Sequence, residues 1–543
     1  MRLILALLSV LIVTAIFGWL YAPYGVGDKD GGWILSFSWR LLRGQIPYKD
    51  FVYILPPGSI LLHALPLYVV PSPYQVMFGR LMFFFSVALY SLLSAVVLYQ
   101  LFDLKRWRLR PDILALLFFV FSVQSHQPMP WYTVDGVLFS VIGLYFLSCR
   151  QAAWGAAVGA LFLFLAAGCK QPFFFVVPFG LGYVWIMRGW RDVGIAVGTL
   201  TGLTLVVVGV AVGMGLHQEP LSQFAGQAGG VMSLIQQGVV PYVKTTSLAL
   251  GPAVLAWVVL ERGLYWIKGR RLDPAWFPYV ALGTIMVAAT IYMLVRQTAR
   301  PPAFHYPSLF FLAVAVPLLY ELKPGRRDLW TLAFMLSIAW CSSVSYGYTT
   351  PVTYGAPLIF GLLYYSHKYL RTRPAPLCYF LLCLSLAVQA AGYQFPTDDA
   401  PRAELKHDLG TVFPKLKYVR STERNLQRYA ELKRLHETYG DHFTVLPGIP
   451  LANYLTDTTS PVSLDYLYAL HTTPGIADLA IRDLDERRPY VFLESKLYYR
   501  CPDGYAGCKC PDWLVGCSVP RHVAENWTLA ETGRFFQVYR APN

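Results

Sequence analysis

Windows of about 20 apolar residues recur along the first 394 positions, and each is long enough to cross a hydrocarbon layer about 30 Å thick as an α-helix. The apolar region 31–70 is interrupted by four prolines, so we expect interfacial helices in a long first loop, 23–78, in place of a further span. The pattern predicts thirteen membrane spans, at residues 3–22, 79–102, 113–125, 131–148, 153–168, 172–187, 193–215, 246–266, 276–295, 306–320, 329–345, 352–366 and 375–394.

The pattern changes after Tyr393, where charged residues appear every few positions and no window could span a bilayer. Helical spacing of apolar residues predicts helices at 422–439 and 475–487. Short apolar runs predict strands at 443–447, 490–494 and 535–539. The chain is therefore predicted to be a polytopic α-helical membrane protein, with a transmembrane domain at 1–394 and a soluble α/β domain at 395–543.

Composition and charge agree with this class of protein. Of the 543 residues, 55% are hydrophobic and 14% are charged, whereas soluble domains carry about 25% charged residues. The net charge of +14 is unevenly distributed: residues 1–394 hold 27 Lys and Arg against 12 Asp and Glu, and residues 395–543 hold 18 against 19. Because the excess lies in short loops between apolar segments, it indicates topology signals and excludes nucleic acid as the expected partner.

The loop charges also predict the orientation. With Met1 in the cytoplasm, the inside loops and Arg2 contain 18 of the 27 basic residues of the first 394 positions, and the outside loops 125–130 and 342–350 contain none. Thirteen spans then place the first loop and residues 395–543 outside. A cleaved signal peptide is the alternative for residues 3–22, although that apolar stretch is longer than the usual 7–15 residues.

Four cysteines of the soluble domain form a compact C-x6-C-x-C-x6-C cluster: Cys501, Cys508, Cys510 and Cys517. In an oxidising compartment such a cluster predicts two disulfides, for which three pairings are open. Zinc binding is the alternative, but the cluster lacks a C-x2-C pair.

The first loop carries the clearest chemical pattern. Asp28 and Asp30 flank Lys29 directly after the first span, and an amphipathic segment follows. Its apolar residues Trp33, Phe37 and Leu41 share one face and its polar side carries Arg40 and Arg43, so the helix is expected to lie in the membrane interface. The alternative interpretation is structural: the two carboxylates balance Lys29 and cap this helix.

This loop resembles the first periplasmic loop of the C-type integral membrane glycosyltransferases, the superfamily of protein O-mannosyltransferases and of the lipid A aminoarabinose transferase. Its members have an acidic motif directly after the first span, then an amphipathic helix, a Gly-x-x-Pro-Tyr-x-Asp run (here 44–50) and a Pro-Pro segment (here 56–57). The layout of about thirteen spans and a terminal periplasmic α/β domain matches as well. Gly31 departs from the pattern where an acidic residue is common, and Leu55 departs where the aminoarabinose transferase type has a lysine.

The resemblance implies a multi-pass enzyme of the inner (plasma) membrane that moves a sugar from a polyprenyl-phosphate donor to a lipid, glycan or protein acceptor. Asp30 matches the position of the catalytic base. Asp28 is an alternative base or a metal-facing partner, so a divalent metal at Asp28 and Asp30 is the one cofactor that the resemblance leaves open. Cations stabilise a phosphate that leaves, since negative charge develops there in the transition state.

Candidates for holding the donor phosphate lie at the predicted outer ends of the spans: Lys170, Arg296, Arg300, His305 and Tyr306. Interfacial anchoring by snorkelling is an equal alternative for each of them. Asp135, one turn inside the fourth span, is expected either to pair with a cation such as Lys170 or to line the cavity, together with Arg40 and Arg43.

Two other functions remain open from the sequence. A transporter or flippase for lipid-linked saccharides would also have about twelve helices, but its polar sites would lie near the bilayer midplane. A polysaccharide polymerase or ligase would use outer Arg and His residues, with its main outside loop late in the chain. The acidic motif here is early in the chain, and the candidate cations lie at the predicted outer ends.

Overall fold

The computed structural model is mostly helical, with a small C-terminal sheet. It describes residues 2–27, 30–124, 126–149, 152–216, 223, 230–269, 271–284, 287, 306–344, 350–390, 400, 402–464, 466–467, 474–494 and 518–542. The four-cysteine cluster at 501–517 lies outside these residues, so its two disulfides stay a prediction. Among the described residues, Cys169, Cys341, Cys378 and Cys383 are free thiols.

Helical residues occupy each of the predicted spans. For the span predicted at 276–295, the helix that the structure describes lies mainly at 277–284. In chain order the helices are α1 (Arg2–Tyr21), α2 (Asp30–Leu42), α3 (Gly58–Val69), α4 (Gln75–Leu101), α5 (Pro111–Val123), α6 (Tyr132–Cys149), α7 (Ala153–Ala167), α8 (Val176–Arg188), α9 (Trp190–Gly213), α10 (Gly230–Lys268), α11 (Tyr306–Glu321), α12 (Arg327–Ser343), α13 (Ala356–Leu370) and α14 (Pro374–Ala390).

Within the described part of the chain, three segments are long and apolar enough to cross a membrane: Ser72–Leu101, Trp190–Gly213 and Leu250–Lys268. The last two are almost entirely exposed on the surface of the protein, as helices that face lipid would be. Most of the other apolar helices are shorter than 18 residues. The number of thirteen crossings therefore stays a prediction, while the membrane character of the chain is supported.

The C-terminal part forms the small α/β unit that the pattern predicts. A short antiparallel pair, β1 (His407–Asp408) with β2 (Arg420–Ser421), precedes the main sheet. The remaining elements of this part are α15 (Glu423–Tyr439), β3 (Phe443–Leu446), α16 (Leu451–Leu455), α17 (Pro474–Arg487), β4 (Tyr490–Glu494), α18 (Ser518–Asn526), β5 (Thr528–Thr532) and β6 (Phe536–Arg540). The main sheet has the strand order β3-β4-β6-β5, with β3 and β4 parallel and the other pairs antiparallel.

The first loop contains the two helices α2 and α3, as expected, but α2 does not lie with one face on lipid. Trp33 and Phe37 of its apolar face are buried, and so are Leu35, Ser38 and Arg40 on its other faces. Protein encloses the helix because the C-terminal domain packs against it, through α16 among other elements. Its apolar face is therefore covered by protein and not by lipid, while its level at the membrane interface stays a prediction.

Hydrogen bonds join the first loop to the C-terminal domain. Arg420 of β2 donates its N–H to the carbonyl of Pro23 at 2.6 Å and accepts from the N–H of Gly25 at 2.9 Å. Trp39 of α2 donates its indole N–H to the carbonyl of Thr458 at 2.9 Å. Groups that are hydrogen-bonded to each other cannot lie on opposite sides of a bilayer. The first loop and the C-terminal domain therefore share one side of the membrane.

Arg40 is the most deeply buried charge in this interface, with only 1% of its surface exposed. Its Nε donates to Oε1 of Gln45 at 2.7 Å, and its Nη2 donates to the carbonyls of Asp50 at 3.3 Å and Val462 at 3.0 Å. The guanidinium also lies 4.7 Å from the centre of the Phe51 ring. Arg40 thus ties α2, the following loop and the C-terminal domain together.

We expect Arg40→Met to destabilise the protein by about 1–3 kcal/mol, because it leaves buried carbonyls without a donor. Arg43→Met is the matched control: Arg43 is exposed and donates to the carbonyl of Asp457 at 2.9 Å, and exposed contacts of this kind contribute about 1 kcal/mol or less. Thermal unfolding of both purified variants measures the difference. Equal melting temperatures would contradict the structural role of Arg40.

Candidate functional site

A buried acid–histidine pair lies at the amino-terminal end of α6. Asp135 is in the first turn of this helix, where the helix dipole stabilises a negative charge. Its Oδ2 lies 3.1 Å from Nε2 of His63 on α3, and each residue is about 3% exposed. The pair holds the second helix of the first loop against α6. Asp135 therefore has His63 as its partner, a residue that the sequence did not single out.

Lys170 lies beside the same end of α6. It follows α7 in an extended conformation, just before the 3-10 turn Gln171–Phe175. Its Nζ donates to Oγ1 of Thr133 at 3.3 Å and lies 5.2 Å from the centre of the Tyr132 ring. The side chain is 4% exposed. A buried ammonium group needs such polar and aromatic partners to offset the loss of its hydration.

Tyr132 connects this end of α6 to α2. Its ring meets that of Trp33 edge to face, with the ring centres 6.2 Å apart, and Trp33 lies one turn after Asp30, the first residue of α2. Trp33 also packs against Tyr53, at 5.4 Å between ring centres. Tyr132 thus contacts both Lys170 and the first turns of α2.

Backbone contacts hold the start of α3 against the turn that carries Lys170. The N–H of Gly58 donates to the carbonyl of Gly168 at 2.7 Å, and the side-chain amide of Gln171 donates to the carbonyl of Ile54. A Cβ on Gly58 would lie only 2.5 Å from the carbonyl oxygen of Gly168. The Pro-Pro-Gly segment of the first loop therefore meets this turn at a distance that only glycine permits.

Tight packing also surrounds the first turn of α2. A Cβ on Gly31 would lie 2.8 Å from Cβ of Met129, and one on Gly32 would lie 2.8 Å from Cγ of Leu451. An acidic side chain at position 31 has no room in this packing. The structure thus gives a steric reason for the glycine that departs from the glycosyltransferase pattern.

Arg80 is a second residue that the sequence did not single out. It lies in α4, is 4% exposed, and donates to the carbonyls of Ala22 at 2.5 Å and Gly25 at 2.6 Å. A cavity of about 10 Å³ lies between its side chain, Gly27 and Gly31. A lone arginine in an apolar span indicates either a functional residue or a buried hydrogen-bonded one. The position of Arg80 inside the predicted span 79–102 could therefore have identified it from the sequence.

The other predicted site residues are placed only in part. Asp30 begins α2 and Tyr306 begins α11, but neither side chain is among those described. Asp28, Arg296, Arg300 and His305 lie outside the described residues. Arg40 and Arg43 contact protein carbonyls of the first loop and the C-terminal domain. Their expected place in the cavity wall stays a prediction.

The metal prediction is likewise open. No group of three or more His, Cys, Asp or Glu side chains is arranged to hold a metal ion in the part of the chain that the structure describes. The side chains of Asp28 and Asp30 are not in that part. A divalent metal at these two residues therefore stays a prediction.

No protein-family model matches the sequence, and no curated protein does either. Among solved structures, the chain is similar to the archaeal oligosaccharyltransferase AglB from Archaeoglobus fulgidus, in complex with an inhibitory peptide and a dolichol-phosphate. The identity is 12%, the match covers 90% of this chain and 69% of that chain, and the TM-score is 0.33. The apo form of the Archaeoglobus fulgidus oligosaccharyltransferase gives the same identity and coverage with a TM-score of 0.32. Because both scores are low, the function is inferred below from the residues of this chain.

We expect Gly58→Ala to destabilise the protein by about 1–3 kcal/mol, because the added methyl forces α3 away from Gly168. Gly202→Ala in α9 is the control, since nothing lies within 4 Å of a Cβ at that position and alanine favours a helix by about 1 kcal/mol over glycine. Thermal unfolding in detergent compares the two. A Gly58 variant as stable as the Gly202 variant would show that the backbone approach at Gly58 is not required.

Proposed function

We propose that this chain is an integral membrane glycosyltransferase that moves a sugar from a polyprenyl-phosphate donor to a lipid, glycan or protein acceptor. The reaction takes place at the outer face of the inner membrane, on the side that the first loop shares with the C-terminal domain. The donor's lipid stays in the bilayer while its sugar reaches the site at the surface.

The chemistry follows from the residue types. Asp30 takes the proton from the acceptor hydroxyl or amine as that group attacks the anomeric carbon. The bond between the anomeric carbon and the phosphate oxygen breaks, and the polyprenyl phosphate leaves with the electron pair. Lys170 stabilises the negative charge that develops on this phosphate, since a fixed cation in a dry site acts strongly on such charge.

One observation carries this proposal: Tyr132 contacts both Trp33, one turn after Asp30, and the ammonium group of Lys170. The beginning of α2, where Trp33 follows Asp30 by one turn, and a buried Lys170 side chain thus share one neighbour, although they are far apart in sequence. The buried pair of His63 and Asp135 supports the same region, because it fixes the first loop against α6. A transfer site needs an acid–base group and a phosphate-binding cation close together.

We expect Asp30→Asn to abolish sugar transfer and to leave the protein folded, since an amide cannot accept the proton. Loss of a general base typically lowers the rate about 10²–10⁴-fold. Turnover of a lipid-linked donor by the purified variant in proteoliposomes measures it. Asp28→Asn is the matched control. If that variant alone loses activity, Asp28 is the base, and if both retain full turnover, neither carboxylate is.

We expect the donor to be a polyprenyl-phosphate sugar and not a soluble nucleotide sugar, because the site is proposed to face the compartment that lacks nucleotide sugars. Proteoliposomes that contain the protein and an acceptor are given each donor in turn. Transfer from the nucleotide sugar with no lipid carrier present would contradict the proposal. Movement of the lipid-linked sugar across the bilayer without transfer would favour a flippase instead.

A further inference from the structure

Arg80 of α4 holds the segment 22–27, which precedes the acidic motif, from the side of the transmembrane helices. The carbonyls of Ala22 and Gly25 follow α1 and accept from the two terminal nitrogens of this guanidinium, at 2.5 and 2.6 Å. Carbonyls at the end of a helix lack intrahelical donors and carry partial negative charge, so a cation is favoured there. A buried arginine needs such acceptors, since desolvation of its charge is otherwise costly.

The same segment is held from the other side by the C-terminal domain. Arg420 of β2 donates its N–H to the carbonyl of Pro23 and accepts from the N–H of Gly25, so that Tyr24 and Arg420 form an isolated parallel bridge. The Arg420 side chain itself is exposed. The contact is thus made by the backbone of β2, on a chain segment almost 400 positions later.

Beyond the acidic motif, the chain is held again at the first turn of α2. The N–H of Gly32 donates to the carbonyl of Gly27 at 2.9 Å, and Gly31 and Gly32 lie tightly against Met129 and Leu451. The small cavity between Gly27 and Gly31 is also lined by Arg80 and Leu451. Both flanks of residues 28–30 are therefore fixed by the two parts of the chain together.

We propose that Arg80 and the backbone of β2 form a clamp that positions the acidic motif, so that the C-terminal domain controls the geometry of the catalytic carboxylate. This inference rests on the proposed function. Arg80 is here a positioning residue that acts through the 22–27 segment. The clamp also assigns a role to the C-terminal domain, which holds one half of the clamp.

Two pairs of variants in the full-length chain test the clamp. Arg80→Met removes both hydrogen bonds, and Arg110→Met is its control, since Arg110 is exposed and pairs with Asp112 in the first turn of α5. Arg420→Pro removes the N–H that donates to Pro23, whereas Arg420→Ala keeps the backbone contacts. We expect Arg80→Met and Arg420→Pro to lower kcat about 10- to 100-fold in the folded enzyme, as misplacement of a catalytic group does, with KM for the donor little changed. Arg80→Lys should recover part of the loss.

A spin label at position 29, introduced as Lys29→Cys, gives a measurement that does not depend on activity. We expect its mobility to rise in Arg80→Met and Arg420→Pro and to stay unchanged in both controls. Equal mobility in all variants overturns the clamp, whether or not the enzyme transfers sugar. Raised mobility without any sugar transfer by the wild-type chain overturns the proposed function and leaves the clamp standing.

If Arg420→Pro fails to fold, the comparison of Arg80→Met with Arg110→Met decides alone. A folded Arg80→Met enzyme with unchanged kcat would reduce Arg80 to a cap of α1.

Discussion

The hydrogen bonds between the first loop and the C-terminal domain are the constraint on which the candidate site depends. The helix α2 is buried on both its apolar and its polar faces, which is stable only because carbonyls of the C-terminal domain accept from Trp39 and Arg40. Lys415 completes this contact, as its ammonium lies 4.2 Å from the centre of the Trp39 ring. Burial lowers the pKa of Lys415, while its hydrogen bond to Asp457 acts in the opposite direction.

Buried ionisable side chains lie together at the amino-terminal end of α6. On this helix the Asp135 carboxyl group lies beside a histidine and the Thr133 hydroxyl accepts from an ammonium group, and the two residues lie within one turn of each other. The histidine comes from α3 and the ammonium group from the turn after α7. Such fixed charges need no rearrangement when charge develops in a reaction, which is the physical basis of electrostatic preorganisation.

Much of the secondary structure could be predicted because its signals are local. Helical spacing located α15 and α17, and short apolar runs located β3, β4 and β6 to within a residue or two. Strand β5 was not predicted, because it is an exposed edge strand whose sequence is mostly polar. The burial of α2 could not be predicted, since its covering residue Thr458 lies 419 positions from Trp39. His63 was missed for the same reason, being 72 positions from Asp135.

The union of the first loop with the C-terminal domain has a consequence for biosynthesis. Arg40 and the carbonyl that it binds at Val462 are separated by 422 positions. A ribosome adds about 5–20 residues per second, so on the order of 20–80 s pass between the synthesis of Arg40 and the synthesis of Val462. During that interval Trp39 and Arg40 lack the carbonyl acceptors that the C-terminal domain supplies at Thr458 and Val462. The part of the interface that Arg40 makes with the C-terminal domain therefore cannot form on a nascent chain until Val462 has been synthesised.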